Sequence, residues 1–253
     1  MTSSVLLTGG TGTLGRLVTP LLRDAGCKVR VLSRHSHESG DGIEYVTGDL
    51  LKGEGIEPAV AGAEIILHLA GGPKGDDEAT RNLVRAASRA GVQHLVYISV
   101  IGADRVPLGY FRSKLGAEQA VADFGPPWTT LRAAQFHDLV LNVAQKMAKL
   151  PVIPIPGGLR FQPVDAREVA ARLVELTLDK PAGLVPDLAG PKVYGMADLI
   201  RGYLRARGMR RLMMPVRMPG KAGRAYRAGE NLSLEGAAVG KRTWEDFLAE
   251  RLR

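Results

Sequence analysis

The chain has 253 residues, 45% of them hydrophobic, and a formal charge of +8. That is enough to bury a sizeable core as one large α/β domain or as one domain with a small appendage. No apolar run is long enough to span a bilayer and residues 1–4 lead straight into a strand, so neither a membrane span nor a signal peptide is expected, and a cytoplasmic setting is.

Val5, Leu6 and Leu7 have strand character and run into Thr8, after which Gly9, Gly12 and Gly15 recur every third residue. Leu14, Leu17, Val18, Leu21 and Leu22 then follow at helical spacing, and Gly26 closes the helix. A strand, a glycine turn and a helix start form the context in which such a triplet reads as a dinucleotide site. The turn lets backbone approach a pyrophosphate, whose charge sits on the helix N-terminus. Lys28 to Ser33 alternates as a second strand, with the lone Cys27 as a small buried filler beside it and a reducing compartment as its simplest setting. Arg34 stands 19 residues beyond Gly15, where an acidic side chain would hold the ribose hydroxyls of NAD. A guanidinium there, together with Arg16, suits the 2′-phosphate of NADP, so NADP(H) is preferred over NAD(H).

Ile43 to Thr47 reads as a third strand, followed by Gly48, Asp49 and Leu50, and Glu64 to Ala70 is apolar enough to be buried on both faces of a parallel sheet. Asp49 and Leu50 are expected to border an adenine, and Ala70 and Gly71 to let backbone pass close to the cofactor. His68 reads as a packed core histidine. A helix over Asp76 to Ala90 and a strand over His94 to Val100 complete an alternation that means a Rossmann-type, doubly wound parallel sheet. Ligand then sits at the carboxyl ends of the strands, where Thr8, Ser33, Ala70 and Ser99 fall.

Tyr110 and Lys114 lie four apart on a helix predicted over residues 108–124, so they share a face. An ammonium near a phenol favours the phenolate, which makes the pair a proton donor for hydride transfer, with Ser99 or backbone holding a carbonyl oxygen. Pro126 and Pro127 break that helix, and Trp128 to Ala133 is a sixth strand. Helices follow over residues 139–150, 164–178 with Asp165 near its start as a cap, 196–207 and 244–252. Between them lie an extended proline-rich excursion over 151–158, a short strand around 184–188, and a stretch from Met214 to Gly229 too rich in Pro and Gly for long regular elements. Residues 1–134, with 164–190 returning to them, read as the dinucleotide-binding core; 135–163 and 191–253 read as a small C-terminal substrate cap. Leu212, Met213, Met214, Val216 and Met218 are available there to line a pocket or to serve as plain core. Nine basic residues and no acidic one lie between Arg201 and Arg227. That run could meet an anionic ligand or an acidic partner, but with only Tyr203 and Tyr226 interleaved nucleic-acid binding is disfavoured. No metal site is expected.

The segments TGGTGTLG from Thr8, GDL from Gly48, YIS from Tyr97 and YFRSKLGAE from Tyr110 together resemble the short-chain dehydrogenase/reductase superfamily, and within it the atypical, NmrA-like NAD(P)H-binding branch. The similarity continues through WTTLRAAQF from Trp128 and FQPVDAREVA from Phe161. The resemblance implies that Gly9, Thr11, Gly12, Thr13, Leu14 and Gly15 bind pyrophosphate and that Arg34 binds the 2′-phosphate. It also implies that Tyr110 and Lys114 serve the nicotinamide ribose and the proton relay. Gln135, Phe136 and His137 fall where the family places its nicotinamide and substrate pocket, although a solvated loop is the plainer reading of His137. One departure is Val100, which stands where many relatives carry the second, catalytic serine. The function implied is hydride transfer from NADPH to a small carbonyl or quinone-like substrate. A redox sensor with little catalysis is the alternative, and sugar-nucleotide epimerase or dehydratase chemistry comes third. The partner is then a small molecule, and the superfamily's habit of dimers or tetramers leaves a homodimer as one option.

Overall fold

A computed structural model describes residues 3–123, 125 and 127–252. The first half of the chain runs β1 (Ser4–Thr8), α1 (Thr13–Asp24), β2 (Lys28–Ser33), β3 (Ile43–Thr47), α2 (Ile56–Val60), β4 (Ile65–His68), α3 (Asp76–Ala90), β5 (His94–Val100), α4 (Gly109–Ala122) and β6 (Trp128–Ala133). The second half runs α5 (His137–Met147), β7 (Val152–Pro156), β8 (Arg160–Phe161), α6 (Ala166–Leu178), β9 (Gly183–Leu184), β10 (Leu188–Ala189), β11 (Tyr194–Gly195), α7 (Met196–Ala206), β12 (Leu212–Val216), α8 (Gly220–Ala228), β13 (Ala238–Val239) and α9 (Trp244–Arg251). The end of the helix predicted over residues 108–124, at Phe124, and Pro126 after it, lie outside the described residues.

The chain divides into two units. The first comprises residues 1–99, 112–131 and 169–185; the second comprises 100–111, 132–168 and 186–253. In the first unit, strands neighbour one another in the order β9, β6, β5, β4, β1, β2, β3, and the described pairings β1·β2, β1·β4, β2·β3, β4·β5 and β6·β9 are parallel. The chain builds β2 and β3 to one side of β1, then crosses back to place β4 on the other side. That reversal opens a crevice at the carboxyl ends of β1 and β4, the position in which open α/β sheets hold ligand. β5 is buried throughout, as a strand covered on both faces must be. One face of the sheet packs a core of Leu6, Ile66, Leu83, Leu95 and Tyr97, against which Ile56 and Val121 also close.

The second unit has its own core, in which Trp244 and Phe247 of α9 meet Leu199 and Tyr203 of α7, Leu141 of α5 and Ile153 and Ile155 of β7. Three stretches in the second half of the chain differ from expectation. The single short strand expected around 184–188 is two two-residue strands, because Pro186 lies between them and has no N–H to give a ladder. The proline-rich stretch after Leu150 is a regular strand, paired in parallel with β12 over five residues. Pro154 and Pro156 are two apart, so both missing N–H groups fall on the same side of β7, where a strand at a sheet edge needs no partner. The glycines after Met218 bound a helix instead of preventing one: Gly220 opens α8 and Gly229 closes it.

Candidate active site

The turn after β1 is shaped by close approaches that only glycine allows. Gly9 has φ +73°, and a Cβ there would stand 2.7 Å from the amide nitrogen of Ala70. At Gly15 a Cβ would stand 2.3 Å from the carbonyl oxygen of Gly9, so the first turn of α1 packs directly on the glycine turn. Gly12 is the N-cap residue, its N–H bonded back to the Gly9 carbonyl at 3.0 Å, and no side chain caps the helix. The first-turn amides of α1, from Thr13, Leu14 and Gly15, carry the partial positive charge of the helix end. No acidic side chain occupies that first turn. Thr11 and Thr13 are exposed, while Leu14 and Gly15 are buried.

This turn opens on a cavity of about 320 Å³ that lies entirely within the first unit. Thr8, Gly9, Thr11 and Gly12 line it together with residues 32–35, 48–51 and 69–72, and Lys74, Gly75, Asp76 and Ala79 complete it. Arg34 lies on its exposed rim, with no hydrogen bond or ion pair among the described residues. The hydroxyl of Ser33 accepts the His35 N–H at 3.2 Å. Arg16 is tied back, its Nε donating to the Thr11 carbonyl at 2.9 Å. Asp49 turns its carboxylate onto its own loop, accepting the N–H groups of Leu51 at 2.9 Å and Lys52 at 3.3 Å, and the neighbouring Leu50 is buried against the cavity. Ala70 and Gly71 form the opposite wall.

Behind that wall runs a closed chain of hydrogen bonds. The Thr80 hydroxyl donates to the Asp76 carbonyl at 2.6 Å, so it accepts from His68 Nε2–H at 3.0 Å. Nδ1 of His68 is then the acceptor for the Thr8 hydroxyl at 2.7 Å, and Thr8 in turn accepts the Ala70 N–H at 3.1 Å. Every group is satisfied with the imidazole neutral. Burial, and after it the charge of Lys114, push the His68 pKa down to about 3.

Lys114 and Asp76 form a buried ion pair, Nζ to Oδ2 3.0 Å, with about 6% of each residue exposed. Lys114 also donates to the Tyr97 hydroxyl at 3.3 Å and to the Ile98 carbonyl at 3.5 Å. The second carboxylate oxygen of Asp76 accepts the Gly72 N–H at 2.6 Å, so one side chain joins the cavity wall to the ammonium. Ser99 ends the unit's part of β5 with its hydroxyl buried and unpartnered among the described residues. Val100 follows it, also buried.

The remaining predicted residues lie in the second unit. Tyr110 sits one turn before Lys114 on α4, is 39% exposed and meets the Phe111 ring edge-on at 5.4 Å. Gln135 has a buried, unpartnered carbonyl oxygen among the described residues, and half-buried Phe136 is the N-cap residue of α5. His137 is not a solvated loop residue. It is the first residue of α5, wholly buried between the rings of Trp244 and Phe247 at 5.8 and 5.2 Å, where burial holds its pKa down at about 4. Sequence reasoning missed Asp76 and the Thr8–His68–Thr80 chain. An acidic residue opening a helix carries no signal beyond the helix dipole.

The geometry fits a dinucleotide: uncapped amides for a diphosphate, an unengaged guanidinium at the second strand's end, and a backbone wall for a planar ring. The family model described as NAD(P)H-binding matches residues 9–176. The chain belongs to that NAD(P)H-binding family.

Among curated proteins, (4-alkanoyl-5-oxo-2,5-dihydrofuran-3-yl)methyl phosphate reductase of Streptomyces griseus is 32% identical over 195 residues, covering 74% of this chain and 68% of that protein. The NAD(P)H azoreductase of Xenophilus azovorans is 27% identical over 214 residues, 81% of this chain and 74% of its own length. Among solved structures, an NADPH-dependent quinone oxidoreductase of Escherichia coli in complex with NADPH superposes with a TM-score of 0.85 over 98% of this chain and all of the other, at 19% identity. It shares the Rossmann-type fold. The NAD(P)H-binding family match begins at Gly9, within the glycine turn, and ends within α6.

Proposed function

We propose that this chain is an NADPH-dependent reductase of the atypical short-chain type, transferring hydride to a small carbonyl or quinone-like compound. The observation that carries the reading is the uncapped N-terminus of α1 opening on a cavity whose rim holds the unengaged Arg34. The names of the Streptomyces, Xenophilus and Escherichia proteins, all reductases or oxidoreductases, support the reaction class. A cytoplasmic setting goes with it.

When bound, NADPH supplies the hydride. Thr11, Thr13, Leu14 and Gly15 would hold its diphosphate through backbone amides, Gly9 and Gly12 would shape the turn that presents them, and Arg34 would hold the 2′-phosphate, which selects NADPH over NADH. Asp49 and Leu50 flank the adenine, and Ala70 and Gly71 bring backbone against the ligand. Lys114 serves the nicotinamide ribose. Tyr110 gives the proton to the carbonyl oxygen, and the Ser99 hydroxyl, unpartnered among the described residues, donates a hydrogen bond to it. Gln135 and Phe136 contribute the substrate side, whereas His137, wholly buried against Trp244 and Phe247, packs the core and has no surface to offer a substrate. A quinone needs little acid catalysis, so Val100 in place of a second serine suits a quinone-like acceptor.

The test is oxidation of NADPH, followed by the loss of nicotinamide absorbance, across a panel of quinones and carbonyl compounds. Tyr110→Phe should slow carbonyl reduction by about a hundredfold or more, the range for a lost general acid, and slow quinone reduction far less. Tight binding of NADPH with no turnover anywhere in a broad panel would overturn the reductase in favour of a redox sensor.

A further inference from the structure

β7 and β12 pair in register with Val152 opposite Leu212, Pro154 opposite Met214 and Pro156 opposite Val216, so these six side chains share one face of a two-stranded sheet. On the opposite face Ile153 and Ile155 are buried in the second unit's core, with Met213 packed against it. The six-residue face is the outer one: Leu212 is 69% exposed, Met214 52% and Val152 37%. Leu150, just before β7, is 43% exposed. A surface sheet ordinarily puts polar side chains outside, and here none of the six is polar. A contiguous exposed apolar face of this kind marks an interaction site.

Cations frame it. Arg210 and Arg211 immediately precede Leu212, Arg217 immediately follows Val216, and Lys149 immediately precedes Leu150. Beside them a hollow of about 650 Å³ is lined by Lys146, Lys149, Arg207 and Arg211, with no carboxylate among the described residues. Lys146, Lys149 and Arg207 have no ion-pair partner among the described residues. This is where part of the basic run from Arg201 to Arg227 gathers, and the cofactor cavity uses none of it.

We infer that this face is a docking surface for an anionic lipid bilayer, with Leu212, Met214 and Val152 entering the headgroup boundary and the flanking arginines and lysines meeting lipid phosphates. The combination favours lipid. A nucleic acid would use the charges but leave the aliphatic face uncovered, and it would draw on exposed aromatic platforms, whereas Tyr203 in the hollow is only 7% exposed. A bilayer satisfies both halves of the surface at once. Such binding is peripheral; no helix among the described residues is long and apolar enough to cross a membrane. The inference does not depend on the reductase reading.

The experiment is co-sedimentation of the full chain with vesicles containing phosphatidylglycerol and with vesicles of phosphatidylcholine alone. The chain should bind the first and not the second, and binding should weaken as salt is raised. Arg210→Gln with Arg217→Gln should lower partitioning by about fivefold per charge. Leu212→Asp with Met214→Asp should lower it more than tenfold, by placing charge in the apolar face. Circular dichroism and the thermal midpoint should be unchanged in the arginine pair, so loss of binding there is not loss of fold. Failure to sediment with phosphatidylglycerol vesicles at low salt overturns the proposal. So does preferential binding to a DNA or RNA oligonucleotide, and so does a dimer in sedimentation velocity that Leu212→Asp with Met214→Asp dissociates, which would give the face to a second copy of the chain.

Discussion

A guanidinium that no carboxylate or carbonyl among the described residues holds, as at Arg34, keeps its full hydrogen-bonding capacity for an anion reaching the cavity rim. Charge-assisted hydrogen bonds contribute about 1.5–3 kcal/mol, so Arg34→Ser should weaken NADPH binding by roughly tenfold to a hundredfold and leave NADH nearly unaffected. A fluorescence titration with both nucleotides checks this, and equal losses would remove Arg34 from the phosphate site. His68 makes a second prediction at this scale. Its imidazole is neutral in the fold, with the pKa near 3 against an ordinary 6.5. Between those values the unfolded chain binds the proton and the folded chain does not. The His68 contribution is therefore complete above pH 6.5 and is lost as pH falls toward 3, by up to about 1.4 kcal/mol per pH unit. Urea midpoints across that range should show the slope, and His68→Gln should reduce it while lowering stability at neutral pH.

The element most dependent on charge is the start of α6. Asp165, 2% exposed, accepts the Arg167 N–H at 2.9 Å and two bonds from its guanidinium, and Arg242 Nε donates to it at 2.9 Å. Both arginines also reach Glu250 of α9, so one carboxylate joins a helix start to the last helix of the chain. Burial alone would raise the Asp165 pKa, but the Arg167 hydrogen bonds and charge outweigh it and hold the pKa near 2. Its stabilisation should persist down to about pH 4 and fall by about 2 kcal/mol as pH approaches 2. Asp165→Asn should lose a similar amount at neutral pH and flatten the acid limb, as thermal melts at stepped pH would show. The same element scale explains what sequence reading can reach. The spans Lys28–Ser33, Asp76–Ala90 and His94–Val100 are legible to the residue because period and boundaries agree there. The sterics of the glycine turn are legible too, being local. α2 is hidden by its five-residue length and by Pro58, and β7 and β12 by side chains that are apolar on both faces and so show no alternation. The Asp76–Lys114 and Asp165–Arg242 pairs join residues far apart in the chain, and neither propensity nor spacing encodes such meetings.

At the scale of the whole molecule, the two units each have their own buried core, but the cavity beside the glycine turn belongs to the first unit alone. A ligand that binds only the folded chain stabilises it by mass action, about 2.7 kcal/mol at a hundred times its Kd. For a chain of this length each kcal/mol moves the unfolding midpoint by roughly 2–4 °C, so saturating NADPH should raise it by about 5–10 °C. Under the role proposed for Arg34, NADH at the same concentration should raise it less, and Arg34→Ser should bring the two shifts together. Gly9→Ala should abolish both, since the added Cβ would press on the Ala70 amide. Calorimetry with each nucleotide decides the matter independently of turnover. If neither form of either nucleotide moves the midpoint at saturating concentration, the glycine turn is not a dinucleotide site in this chain, and the proposed reductase fails with it.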